Sequence, residues 1–295
     1  MDIRLDAIVK KYKRDKREFT VLDDINVTLP QGKFTVISGD SGVGKSTLLN
    51  IVAGLSKPTE GKVYYGEKEI TSLGDEELAE LRTGFMGVMT QNCELIPYLT
   101  LIENLKLAYD ISGKGGKNKN LIGEGIGDSD NIGNGDDDGN SDNTGNGDDT
   151  RISDNNSDDD DASDSDNTDN GENISNGNNT GKGNKTGKES PEEEEPTSFS
   201  AELLDALGLS QLRNEYPSSL SSGEIKRAAI ARTLITKPEL IIMDEPTANL
   251  DRKNVRAVLQ LLKRFSTQGS TVIISSHEQE AIAEADFKYE LEHTT

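Results

Sequence analysis

The sequence has almost no cysteine and no long apolar run. Its single cysteine, Cys93, excludes an internal disulfide or a cysteine metal cluster and fits a reducing cytoplasm. No apolar stretch approaches the roughly 18 residues that a membrane helix requires. Residues 1–5 also lack the apolar segment of a secretory signal. The sequence therefore predicts a soluble protein.

Basic residues are scarce relative to acidic ones. The chain has 32 Lys and Arg against 54 Asp and Glu, a formal net charge of −22. Residues 112–198 carry −16 of this charge and contain only seven apolar residues, none of them aromatic. Such a segment cannot bury enough apolar surface to offset the entropy lost on ordering. We therefore predict a disordered acidic insert at 112–198, without the ligand spacing of a calcium-binding loop.

The remaining 208 residues suit one compact domain in two parts, 1–111 and 199–295. Alternating patterns over residues 3–12 and 19–29 predict an antiparallel hairpin, and residues 62–70 predict a further strand pair. Tyr12 on this hairpin is placed either to stack on a planar aromatic ligand or simply to pack on the sheet.

The most specific motif is the glycine-rich stretch 39–47, which follows a β-branched run at 34–38 and precedes a helical pattern at 48–53. Its pattern, G-x-x-x-x-G-K-S, predicts a phosphate-binding loop whose backbone N–H groups surround an anion at a helix N-terminus. The residues expected to bind the nucleotide are Gly39, Asp40, Ser41, Gly42, Val43, Gly44, Lys45, Ser46 and Thr47. Lys45 would reach the β- and γ-phosphates, and the Ser46 hydroxyl would bind Mg²⁺.

Two further predicted apolar strands are followed by polar or charged residues. Residues 240–245 end in Asp244 and Glu245, and such a carboxylate pair at the end of an apolar strand suggests a cation. Asp244 would hold Mg²⁺, and Glu245 would be the base that polarises the attacking water. Residues 271–275 lead to His277, which is either structural or hydrogen-bonded to a γ-phosphate. We expect these strand ends to form one site.

The other predicted elements are helices at 75–81, 99–109 and 199–207 and a buried strand at 84–91. Gln91 at the end of this strand either contacts Mg²⁺ or the attacking water, or is an ordinary surface residue.

Residues 220–224, L-S-S-G-E, precede a helix at 225–235. They form either an anion site or only an N-cap.

Together these motifs resemble the nucleotide-binding cassette of ABC transporters over nearly all of 1–111 and 199–295. The resemblance implies an α/β fold: a P-loop NTPase core with an antiparallel β subdomain and an α-helical subdomain that carries the insert. It makes Tyr12 the A-loop aromatic, Gln91 the Q-loop residue, Asp251 the D-loop aspartate and His277 the switch histidine. The signature residues are Ser221, Ser222, Gly223 and Glu224. Two departures from the family pattern are Ser222 in place of a glycine, and Asp40 with Val43 in the phosphate loop.

The resemblance implies an ATPase that uses ATP and Mg²⁺ and has no nucleic-acid partner. Two cassettes, in a homodimer or heterodimer, would face each other head to tail, so that the signature of one covers ATP on the other. A polytopic membrane permease would hold the chain at the cytoplasmic face of the membrane. The sequence is most similar to cassettes that export macrolides, lipoproteins and antimicrobial peptides. The alternatives are a cell-division cassette that acts on a membrane partner without transport, and a soluble ABC ATPase.

Overall fold

The computed structural model describes residues 1–14, 17–92, 94–113 and 196–292. The strands are β1 (Ile3–Arg14), β2 (Arg17–Leu29), β3 (Phe34–Ser38), β4 (Glu60–Tyr65), β5 (Lys68–Glu69), β6 (Met86–Met89), β7 (Leu240–Asp244), β8 (Thr271–Ser275) and β9 (Phe287–Glu290). The helices are α1 (Lys45–Val52), α2 (Asp75–Phe85), α3 (Leu101–Ile111), α4 (Pro196–Ala206), α5 (Ser222–Leu234), α6 (Arg252–Thr267) and α7 (Gln279–Glu284).

One sheet is antiparallel, with strand order β2-β1-β4-β5. β1 and β2 form a long hairpin whose register runs from Ile3 opposite Leu29 to Tyr12 opposite Phe19. The predicted hairpin and the predicted strand pair at 62–70 are therefore both confirmed.

The second sheet is parallel, with strand order β6-β7-β8-β3-β9. Every residue of β7 and β8 is buried because helices cover both faces of the sheet. A strand that is covered on both faces has a continuous apolar sequence and not an alternating one. The carboxyl ends of parallel strands lie at one edge of the sheet. Since β8 lies between β7 and β3, the three strands that carry the predicted site residues end side by side.

Each face of the parallel sheet has its own apolar core, since successive side chains of a strand point to opposite faces. Ile241 and Ile274 face the core that contains α3, α4, α5 and α6. Ile242 and Ile273 face the other core, which contains α1, α2 and the antiparallel sheet. This arrangement is the predicted α/β architecture, with an antiparallel sheet on one side and a group of helices on the other.

Several element boundaries differ from those predicted. α2 continues past Gly84 to Phe85, and β6 begins only at Met86, because the Phe85 ring packs against Tyr65 at a centroid distance of 6.2 Å. This tertiary contact outweighs the low helix propensity of glycine. α4 begins at Pro196 and not at Phe199, in keeping with the tolerance of proline in a first helical turn.

The insert was predicted to be disordered over residues 112–198. Of these, residues 114–195 lie outside the described part of the chain. Within the described residues, no helix combines the length and apolar character needed to cross a membrane.

Candidate functional site

The phosphate loop connects the end of β3 to the start of α1, as predicted. Gly39 has φ of +139°, and a Cβ atom there would lie 2.4 Å from the carbonyl oxygen of Leu291. Gly44 has φ of +111°, and its Cβ would lie 2.9 Å from Leu22 of β2. Both positions therefore require glycine. The close approach at Gly44 also brings the antiparallel sheet directly against the loop.

The side chain of Lys45 lies across this loop. It is only 6% exposed, and its Nζ atom donates to the carbonyl oxygens of Gly39 and Asp40, each at 2.8 Å. The ammonium group is thus held by two carbonyl oxygens of the loop whose N–H groups would face an anion. Val43 is buried beneath the loop, whereas Asp40 is exposed.

Asp244 ends β7, and its carboxylate is buried. Its Oδ1 atom accepts a hydrogen bond of 2.5 Å from the hydroxyl of Ser275, the last residue of β8. Among the described residues Asp244 has no salt-bridge partner. A buried carboxylate without a cationic partner is costly, and this cost favours a bound cation at the end of β7.

Mg²⁺ fits the oxygen donors at this edge of the sheet. α1, which carries the Ser46 hydroxyl in its first turn, packs against β7 and β8. The described residues contain no cluster of three or more His, Cys, Asp or Glu side chains able to hold a metal. A magnesium ion here would therefore depend on phosphate oxygens as additional ligands, as it commonly does in nucleotide sites.

Glu245 follows Asp244 in an unusual backbone conformation, with φ of +47°. Its N–H donates to Oγ of Ser275 at 2.9 Å, and its carbonyl oxygen accepts from Nζ of Lys226 at 3.0 Å. Its carboxylate is partly buried, and Oε1 lies 3.6 Å from Nδ1 of His277. The structure thus brings together Glu245 and His277, which are 32 residues apart in the sequence.

The predicted signature forms the N-terminus of α5. Ser221 is the N-cap and forms a capping box with Glu224: the N–H and hydroxyl of Ser221 donate to the carboxylate at 2.8 and 2.7 Å. These bonds lower the pKa of Glu224. Ser221 and Ser222 are exposed, and Gly223 lies next to Leu250. Capping thus accounts for Ser221 and Glu224 and leaves Ser222 and Gly223 at an open helix end.

Asp251 is the N-cap of α6, where it accepts from the backbone N–H of Asn254 at 3.0 Å. This bond lowers the pKa of Asp251. Capping of α6 is therefore enough to explain an aspartate at this position.

Tyr12 lies on the antiparallel sheet, and Gln91 follows a strand of the parallel sheet. Tyr12 is 40% exposed on β1, with its ring 6.0 Å from that of Phe19 and 5.2 Å from Nζ of Lys10. An exposed aromatic surface of this kind can stack on a base. Gln91 is exposed and follows β6 by two residues; since β6 adjoins β7, it lies beyond the same edge of the sheet.

Sequence reasoning missed Lys226 and Ser275. Ser275 ends an apolar strand, as Asp244 does, and that pattern could have identified it. Lys226 is the second residue of the helix predicted at 225–235, and a lysine in a helix carries no signal of its own.

A glycine loop at a helix N-terminus, a buried aspartate at the end of β7 in the same sheet and an adjacent Glu–His pair define a P-loop nucleotide site. The family model described as ABC transporter matches residues 22–248. The chain therefore belongs to the ABC transporter family, and it is an ATP-binding cassette ATPase.

Similar proteins include an uncharacterised ABC transporter ATP-binding protein of Methanocaldococcus jannaschii, 30% identical over 92% of this chain and 87% of the relative. The lipoprotein-releasing system ATP-binding protein LolD of Treponema denticola is 26% identical over 98% of this chain and 94% of its own. A solved dimer of the M. jannaschii cassette MJ0796, bound to ADP and Pi in a post-hydrolysis state, superposes with a TM-score of 0.67. It is 26% identical, and the match covers 98% of this chain and 94% of that one.

Proposed function

We propose that this chain works as one of a pair of cassettes that bind ATP between them and drive a separate polytopic membrane permease. The observation that carries the proposal is the convergence at one sheet edge of the phosphate loop, Asp244, Glu245 and His277. A second supporting observation is the N-terminus of α5, where the capping bonds do not involve Ser222 and Gly223 and Ser222 is exposed.

The proposed chemistry is the attack of water on the γ-phosphate of ATP. Residues 39–47 bind the phosphates, with Lys45 on the β- and γ-phosphates and Tyr12 stacked on the adenine. Ser46, Asp244 and Gln91 hold Mg²⁺, which when bound neutralises charge on the phosphates. Glu245 takes up the proton of the attacking water. His277 donates a hydrogen bond to the γ-phosphate.

A second copy of a cassette completes each site. Ser221, Ser222 and Gly223 of one cassette contact the ATP bound to the loop of the other, with Asp251 at the dimer interface. The exposed position of the two serines supports this arrangement, since a helix N-terminus attracts anions. A solved relative of this chain is itself dimeric with ADP and Pi bound.

The permease would hold the cassette at the cytoplasmic face of the membrane, and the work would be export of a peptide, lipoprotein or drug-like cargo. Support comes from relatives described as a lipoprotein-releasing system ATP-binding protein and a macrolide export ATP-binding/permease protein. The latter, from Pasteurella multocida, is 27% identical, and the match covers 96% of this chain and 32% of that protein.

The test is to purify the tagged chain from native membranes and to identify proteins that remain bound in detergent. A polytopic membrane protein in stoichiometric amount, whose presence stimulates Mg²⁺-dependent ATP hydrolysis, is the expected result. Recovery of a soluble complex alone would contradict the transport role.

A further inference from the structure

Glu245 has a backbone conformation that an L-residue seldom adopts. Its φ of +47° lies in the left-handed region, which glycine and asparagine populate far more readily than glutamate. Such conformations persist only when the surrounding structure holds them, and they are concentrated at functional sites. The question is therefore which contacts hold Glu245 in place.

Ser275 holds the N–H side of this residue. The Ser275 side chain is fully buried, and its hydroxyl group accepts the N–H of Glu245 at 2.9 Å while donating to Oδ1 of Asp244 at 2.5 Å. One hydroxyl thus links Asp244, the last residue of β7, and Glu245, which follows it, to the end of β8. Alanine at this position would leave the Glu245 N–H without this acceptor.

Lys226 holds the carbonyl side. It lies in the second turn of α5, the helix whose N-terminus carries the signature, and its Nζ atom donates to the carbonyl oxygens of Glu245 at 3.0 Å and Ala248 at 2.9 Å. Hydrogen bonds from a charged donor are shorter and stronger than those between neutral groups. The lysine therefore connects α5 to the turn between Glu245 and Ala248.

We propose that Lys226 and Ser275 are positioning residues that fix the peptide groups on both sides of Glu245 and thereby aim its carboxylate at the attacking water. This inference rests on the proposed role of Glu245 as the base. A misplaced base slows chemistry without weakening the binding of nucleotide. Loss of either contact should therefore lower kcat, and loss of the Lys226 contact should leave KM for ATP nearly unchanged.

The first measurement compares Lys226→Met, Lys226→Arg and the matched control Lys106→Met, an exposed lysine on α3. Methionine keeps the length of the side chain but removes the donor, so we expect kcat to fall about ten-fold with KM within two-fold of wild type. Arginine, which retains N–H donors, should recover most of the rate, and Lys106→Met should match wild type. A kcat within two-fold of wild type for Lys226→Met would overturn the inference.

The second measurement repeats Lys226→Met and Ser275→Ala in a Glu245→Gln background. If both residues act through the Glu245 carboxylate, neither should slow the residual rate by more than about two-fold, because effects on one coupled unit are not additive. An undiminished ten-fold loss there would show that they act independently of Glu245, while the proposed ATPase mechanism would stand. Wild-type turnover by Glu245→Gln alone would instead refute the proposed base, and the inference with it. If Lys226→Met does not fold, Ser275→Ala provides the test through kcat in both backgrounds, and not through KM, because the hydroxyl of Ser275 also donates to Asp244.

Discussion

The Nδ1 atom of His277 lies 3.6 Å from the Oε1 atom of Glu245. The two residues follow neighbouring parallel strands, β8 and β7, so the sheet brings their side chains together at its carboxyl edge. The distance is too long for a strong hydrogen bond. Both groups therefore remain available to a ligand at this edge.

The first prediction concerns Glu245. Glu245→Gln should bind ATP normally but hydrolyse it about a hundred-fold or more slowly, because the amide cannot accept the proton of the attacking water. ATP should then trap the dimer, which size-exclusion chromatography with ATP would detect. Glu80→Gln, at an exposed position on α2, is the control. A mutant that stays monomeric with ATP and hydrolyses at the wild-type rate would refute the assignment.

The second prediction concerns Lys45. Lys45→Ala should weaken ATP binding about ten- to hundred-fold, because a charge-assisted hydrogen bond contributes about 1.5–3 kcal/mol. The variant also loses the two bonds from Nζ to the loop carbonyls, so its thermal unfolding should be measured alongside a calorimetric ATP titration. An unchanged titration would count against the phosphate contact.

The third prediction concerns sharing of the site between two chains. A Cβ at Gly223 would lie 3.4 Å from Leu250, an ordinary contact, so Gly223→Asp should fold. Its carboxylate would repel the γ-phosphate on the opposite cassette and abolish hydrolysis, while ATP binding to its own loop persists. Mixing this variant with Lys45→Ala should restore one complete site and part of the activity. No recovery in a mixture shown to contain heterodimers would contradict independent shared sites.

The fourth prediction concerns the insert. α3 packs against α4, so the ends of the connection are held near each other, and the closure free energy of a chain rises only slowly with its length. Replacing residues 114–195 by a short Gly-Ser linker should leave the ATPase activity of the purified cassette within a few-fold of wild type. A larger loss would show that the insert acts on hydrolysis, and an effect seen only with the permease present would assign it to docking by charge.

The fifth prediction concerns pH and stability. Asp286 accepts from Nζ of Lys263 at 2.6 Å and from the N–H of Phe34 at 2.9 Å, and these bonds lower the pKa of Asp286. A depressed folded-state pKa stabilises the fold above the ordinary value of about 3.9, and this contribution is lost as pH falls through the folded-state pKa. Asp286→Asn should lower Tm by about 2–4 °C at pH 7.

The difference in Tm between Asp286→Asn and wild type should shrink below about pH 4. Asp110→Asn, at an exposed position on α3, serves as the control. A difference in Tm that is the same at pH 7 and pH 3 would assign the effect to lost packing.

Much of the site could be predicted because its chemistry lies in short, local patterns. β3 and β8 coincide with the strands predicted at 34–38 and 271–275, since β-branched runs between turn residues are recognisable without tertiary information. α6 was not predicted although its apolar residues recur at helical spacing, so the signal was present. β9 was not predicted for a different reason: it is a short edge strand with partly exposed residues and no apolar run.

The sequence by itself determined the family, the phosphate loop and the order of the acidic and histidine residues, because these depend on residue type and spacing along the chain. Only the tertiary structure decided how Glu245 is held. Its partners Lys226 and Ser275 lie 19 and 30 residues away along the chain. These hydrogen bonds exist because α5, β7 and β8 pack together, and no local pattern encodes the distance between a lysine on a helix and a carbonyl oxygen beyond the end of a strand.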